Sequence, residues 1–180
     1  MIEESMKYLD QAFNPHNIYF IRTNSENKCI NYIDEDFYFN LGASITGIPH
    51  MLTYYDHDDG INLYYFQDFP DTGSGKTYSD KNGKPANVVY LVGSENGTSV
   101  GRSLGVAHEV GHCLGLCHTF QEPITLADNS NWLSSGDLIF DTPPDPDEMM
   151  GSHVDPVTCI WTNPNPITYA NYHPRTSNNM

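Results

Sequence analysis

The segment "GVAHEVGHCLGLCHTF", Gly105 to Phe120, constrains this chain more than any other stretch. His108 and His112 are four residues apart, so on a helix both imidazoles lie on one face and reach a single point. Glu109 is rotated about 100° from His108. It lies beside that point rather than on it, which is the place for a base acting on an activated water. Gly115 follows His112 by three residues, and a glycine there takes the left-handed conformation that stops a helix and turns the chain. His118 can then return to the same point from below. Three neutral imidazoles leave a tetrahedral zinc ion one open position. A buried helix with three hydrogen-bonded histidines is the simpler alternative. Five specified residues within the eleven positions from His108 to His118 favour the metal. Val110, Leu114 and Leu116, between the polar groups, are expected to hold the helix in the core.

A chain of 180 residues suits one domain, 1–180. The expected division is an upper part to about residue 115 and a lower part from about 116 to 180. The formal net charge of -15 argues against nucleic acid as a partner, because that affinity comes from Lys and Arg on phosphates. The same acidity suits a soluble or calcium-binding protein, or merely keeps the surface solvated. No run of apolar residues is long enough to span a membrane. "MIEESMKYLD" opens acidic and lacks the apolar stretch of a signal peptide.

"IEESMKYLDQAF" places Ile2, Met6, Leu9 and Phe13 on one face and predicts an amphipathic helix that "NPH" ends. "NIYFIRT", "INLYYFQDF" and "NVVYLVG" predict strands. The intervening "PDTGSGKTYSDKNGKP" reads as a loop. Its "GSGKT" imitates a phosphate-binding loop, but Pro70 stands where that motif needs glycine and no helix can follow. Thr98 or Ser99 can cap a helix from Val100 through Leu114. Beyond Gln121 the chain is rich in proline and asparagine with little periodicity, and an irregular C-terminal third is expected.

The zinc segment resembles that of the metzincin metallopeptidases, and more narrowly the pappalysin (cytophagalysin-like) family. "HEVGHCLGLCHTF" is similar to that family's His-Glu-x-Gly-His-x-Leu-Gly-Leu-x-His-Thr-Phe, and "GDLIFDTPPDP" resembles its Gly-Asp-x-x-x-Asp-Thr-Pro stretch. "AFNPHNIYF" followed by "INYIDEDFY" looks like its first helix and second strand. The resemblance implies an α+β, zincin-type fold: a mixed twisted sheet and active-site helix in the N-terminal part, and an irregular C-terminal part. It implies a zinc endopeptidase acting on extracellular proteins or peptides, secreted or at the cell surface, and a monomer. His108, His112 and His118 would bind zinc, Glu109 would be the general base and acid, and Gly115 the turn glycine. The family's edge strand pairs with an extended substrate above the cleft. Val88, Val89, Tyr90, Leu91 and Val92 are expected to be that strand, antiparallel to their neighbour. A methionine-containing turn lies beneath the metal in metzincins, and only "SNNM" resembles its start, with Met180 either that methionine or the residue before it. Related domains begin with a strand before the first helix and continue past this turn, so the chain is expected to be incomplete at both ends.

Cys113 and Cys117 flank the second and third ligands. They read as small buried hydrophobes, as partners of Cys159 or Cys29 in a disulfide, or as sulfur ligands to the metal. Asp137, Asp141, Asp145, Asp147 and Glu148 crowd one loop, which makes calcium a second candidate ion against a merely solvated, Asp-turned loop. Two other functions compete with a peptidase. One is a catalytically impaired zincin-fold module that binds peptides, which the intact Glu109 disfavours. The other is a structural zinc domain, which an open coordination position disfavours.

Overall fold

The computed structural model describes residues 2–22, 57, 59–66, 75–79, 85–92, 105–120, 128–142, 155, 157–158 and 160–162. The chain divides into two compact units, Met1–Gly115 and Leu116–Met180.

The first unit opens with helix α1, Ile2–Phe13, followed by a single 3-10 turn, Asn14–His16. The helix forms where the apolar spacing predicts it. Leu9 and Phe13 are buried and Met6 packs beside them. Pro15 cannot continue an α-helix, and Asn17 adopts the left-handed conformation that reverses the chain, with its N–H on the Asn14 carbonyl at 3.0 Å. The segment after it forms no strand over residues 18–22. Only Phe20 turns inward, meeting Phe13 edge to face at 5.2 Å, whereas Ile21 is 82% exposed. The alternation in "NIYFIRT" is real, but a side-chain contact to α1 takes the place of a ladder.

Three strands form the described sheet: β1 (Asn62–Phe66), β2 (Gly75–Ser79) and β3 (Pro85–Val92). Their order is β1-β3-β2. β1 runs parallel to β3, with Asn62 opposite Val88 and Phe66 opposite Val92. β2 runs antiparallel to β3, with Gly75 opposite Leu91 and Thr77 opposite Val89. The sheet is therefore mixed.

Two sequence expectations change here. β2 lies inside the stretch read as a loop. Its Gly, Lys and Ser mask a strand, but Lys and short length are what an outer strand tolerates. Val88, Val89, Tyr90, Leu91 and Val92 are not the edge strand: they are central, paired on both sides, and antiparallel only to β2. The physical reason is their unbroken apolar run. Val88, Val89 and Leu91 are all buried, so both faces of this strand are covered, which an edge strand facing a cleft does not require.

Asn62 and Asn87 tie the entry of this sheet together. The Asn62 amide donates to the His57 carbonyl at 2.8 Å, and its carbonyl oxygen accepts from the His57 N–H at 3.1 Å. The Asn87 amide donates to the carbonyls of His57 at 3.0 Å and Gly60 at 2.7 Å. Side-chain amides thus satisfy a turn that has no ladder of its own.

Helix α2, Gly105–Cys113, packs on β3 and β2 and meets α1. Val106, Ala107 and Val110 join Leu9, Phe13, Val89 and Leu91 in one core. Residues 93–104, with the Thr98 or Ser99 cap and the expected start at Val100, lie outside the described residues. Leu114, expected in the core, is 48% exposed, because the helix has ended by then.

In the second unit, the described residues 128–142 form successive turns. Asn129 is buried with φ 56°. Its amide nitrogen reaches the carbonyls of Ile139 at 3.5 Å, Thr142 at 3.3 Å and Phe140. Trp132 meets Phe140 edge to face at 5.9 Å. The irregularity expected of this part holds for its described residues.

Two outcomes test this packing. Leu91→Ala, at a fully buried position, is expected to cost about 2–5 kcal/mol of unfolding free energy. Ile21→Ala should stay within about 0.5 kcal/mol, and denaturant unfolding of both variants makes the comparison. Burial pushes the Tyr65 hydroxyl above its usual 10.0, and the Ser5 side chain offsets part of this. A raised pKa in the folded state means the contribution is fully present below pH 10 and is lost as pH rises beyond it. Tyr65→Phe should therefore flatten the alkaline fall in stability, read from unfolding midpoints across pH 9–11.

Candidate metal centre

Helix α2 carries its apolar stripe, Val106, Ala107, Val110 and Gly111, into the core. Helical periodicity then presents His108 and His112 on the side away from that stripe. Both are half-buried, as is Glu109 between them. The two imidazoles meet edge to face, ring centroids 4.6 Å apart, with Nε2 to Nε2 at 3.1 Å. That approach suits either a shared N–H or two lone pairs aimed at one ion.

The helix stops as the glycine requires. The Leu114 N–H is shared between the carbonyls of Val110 and Gly111, each at 3.1 Å, and the Gly115 N–H reaches His112 at 2.9 Å. Gly115 has φ 90°, a region costly to any residue with a Cβ. Residues 116–118, ending at His118, have no regular structure. One ring nitrogen from each of His108, His112 and His118 lies within 4.8 Å of the other two. Among the described residues this is the group of His, Cys, Asp or Glu side chains able to hold an ion.

The donors fit zinc. Tetrahedral ligands at about 2.0–2.1 Å stand about 3.3–3.4 Å from one another, close to the His108–His112 separation and within the limit for the whole set. All three are imidazoles, borderline-soft donors of the type zinc takes, and a three-histidine set leaves one position open.

Neither cysteine belongs to this group. Cys113 and Cys117 are thiols, half-buried, and Cys113 packs against the apolar core rather than on the histidine face. The hydrophobe reading suits Cys113. Cys29 and Cys159 lie outside the described residues, as does Met180. The acidic loop gains no support as a calcium site. The Asp137 carboxylate accepts from the Ile139 N–H at 3.0 Å, and Asp141 is exposed. Asp145, Asp147 and Glu148 lie outside the described residues. Asp128 holds Ser130 through that residue's side chain and, at 3.0 Å, its N–H, and both lower the Asp128 pKa. Asp155 accepts from Thr158 at 2.7 Å and Val157 at 2.9 Å, again lowering its pKa.

A helix that buries one face on a mixed sheet and offers two histidines, followed by a glycine turn and a third, is the build of a zinc metallopeptidase. The model of peptidase family M43, described as pregnancy-associated plasma protein-A, matches residues 56–179. The chain belongs to this family, the pappalysins, and so to the metzincin-type, zinc-dependent metallopeptidases with an α+β zincin fold. The match takes in β1, β2, β3, α2 and all three histidines. No curated protein and no solved structure matches the chain significantly. Among the described residues, no helix is long and apolar enough to cross a membrane.

What sequence reasoning missed is β2 and the Asn129 clamp. The strand's signal was "KTY" directly after Gly75. The asparagine offered none, because its carbonyl partners lie ten to thirteen residues away.

Gly115→Ala tests the turn. An added Cβ would meet open space, with nothing within 4 Å, so any effect comes from the backbone. We expect about 1–2 kcal/mol of destabilisation together with weaker zinc binding. Gly115→Asn should lose less, since Asn tolerates left-handed geometry better. Denaturant unfolding and zinc titration report the two effects.

Proposed function

We propose that this metallopeptidase is an endopeptidase in which His108, His112 and His118 hold the zinc ion and Glu109 is the general base and acid. The observation that carries this reading is the convergence of the three ring nitrogens within 4.8 Å, with Glu109 on the same turn of α2 as His108. When bound there, zinc supplies a Lewis acid that polarises the scissile carbonyl and acidifies a water molecule.

The rest falls to the chain. His108 and His112 are aimed by the helix, and Gly115 brings His118 to them. The Glu109 carboxylate accepts a proton from the attacking water and delivers it to the scissile amide nitrogen. The C–N bond then breaks, leaving a carboxylate on one product and an amine on the other.

An extended peptide needs a strand to align on. β2 is the outer strand on the α2-contacting side of the described sheet, and its backbone takes the role first assigned to Val88–Val92. Substrates are proteins or peptides, and we place the enzyme outside the cell, in keeping with the pappalysins at large.

Glu109→Gln should lower peptide hydrolysis by at least about 100-fold while zinc stays bound at one equivalent, because the residue moves protons and is no ligand. Turnover near that of the unaltered protein would remove Glu109 from this role, and loss of zinc would move it into the ligand set. A chelator should abolish hydrolysis by the unaltered protein, and zinc should restore it.

A further inference from the structure

The three ligands are not held alike. His108 and His112 project from a regular helix, one turn apart, and that helix is fixed by buried Val106 and Val110. His118 has no helix beneath it, since residues 116–118 lack regular structure. Its imidazole plane must be set by something else if the third donor is to meet the other two.

Phe120 supplies a flat surface at that place. Its ring lies against the His118 ring with centroids 4.7 Å apart and planes only 11° from parallel. Thr119, between them, is buried and anchors the backbone that carries both rings. Parallel stacking restricts rotation of the imidazole out of its plane while leaving the ring edge, where both nitrogens sit, unobstructed. An edge-to-face contact would not do this, because the neighbouring ring would then point at one edge or face of the imidazole.

We propose that Phe120 is a positioning residue for the metal centre: its ring sets the plane of His118 and so pre-aims the third donor. This rests on His118 being a zinc ligand. The proposal assigns Phe120 no contact with substrate or metal. Partners that orient ligands commonly cost about 10–100-fold in metal affinity when removed. A single aromatic stack supports at most about 10-fold. The expected loss is therefore at the lower end, about 10-fold.

The test compares Phe120→Leu, which keeps apolar bulk but has no flat face, with Phe120→Tyr, which keeps the face. Zinc affinity is measured in the full chain by competition with a chromophoric chelator. The ligand-field spectrum is recorded after cobalt(II) substitution, and thermal unfolding before metal is added. Phe120→Leu should bind zinc about 10-fold more weakly and shift the cobalt spectrum, and Phe120→Tyr should restore both. Unchanged affinity and spectrum in Phe120→Leu, or equal losses in the two variants, would overturn the proposal. So would a fall in metal-free thermal stability with affinity intact, since that is packing alone. His118→Ala separates the two layers. If it binds zinc as tightly as the unaltered protein, the ligand assignment falls and the proposal with it. If it binds weakly while Phe120→Leu does not, the positioning role alone falls.

Discussion

Burial of one face of α2 is the interaction on which the rest depends. Val106, Ala107 and Val110 lie against Val89 and Leu91 of β3 and against Leu9 and Phe13 of α1. Each of the fully buried Val and Leu side chains contributes about 1.5–3 kcal/mol relative to exposure, enough to hold a nine-residue helix that would be marginal alone. Once that face is fixed, helical geometry leaves His108 and His112 no choice of direction. The half-buried position of the two histidines is thus a by-product of a fully buried stripe on the same element. A candidate metal site built this way takes its rigidity from the apolar core.

The sheet explains why β3 has to be the strand beneath the helix. A central strand contributes two faces to the interior, and only "NVVYLV" is apolar enough for both. β2, with Gly, Lys, Thr and Ser, is suited to a position where one edge has no partner among the described strands. The expectation that Val88–Val92 form the edge was carried over from the family resemblance, whereas their own apolar run fits the central place they take. Once the order β1-β3-β2 is known, the composition of each strand matches its place.

How much was legible follows from the range of the interactions. The helix α1, the end of α2 and the convergence of three histidines are local: each is set within about a dozen residues by periodicity, Pro15, Gly115 and ligand spacing. These were readable, and the most specific part of the family likeness, "HEVGHCLGLCHTF", lies among the same residues. Strand order is non-local. Gly75 pairs with Leu91 and Asn62 with Val88, and no periodicity within either segment announces such partners. "NIYFIRT" failed for a related reason, since alternation indicates an amphipathic extended chain without supplying a neighbour to pair with. Asn129 is the extreme case, a single polar residue whose function exists only once three distant carbonyls surround it.

Where ladders run out, this chain closes its backbone with short polar side chains. Asn62 and Asn87 close the turn around His57 and Gly60, and Asn129 gathers the carbonyls of 139–142. Asp128, Asp137 and Asp155 each accept from an N–H two residues on. This changes the meaning of the acidic composition. A carboxylate engaged with its own backbone is spent on local geometry, and that is why a loop rich in Asp need not be an ion site. The histidines make the contrasting case. They share one point instead of serving three separate turns, and only convergence of that kind lets side chains act on something other than their own chain.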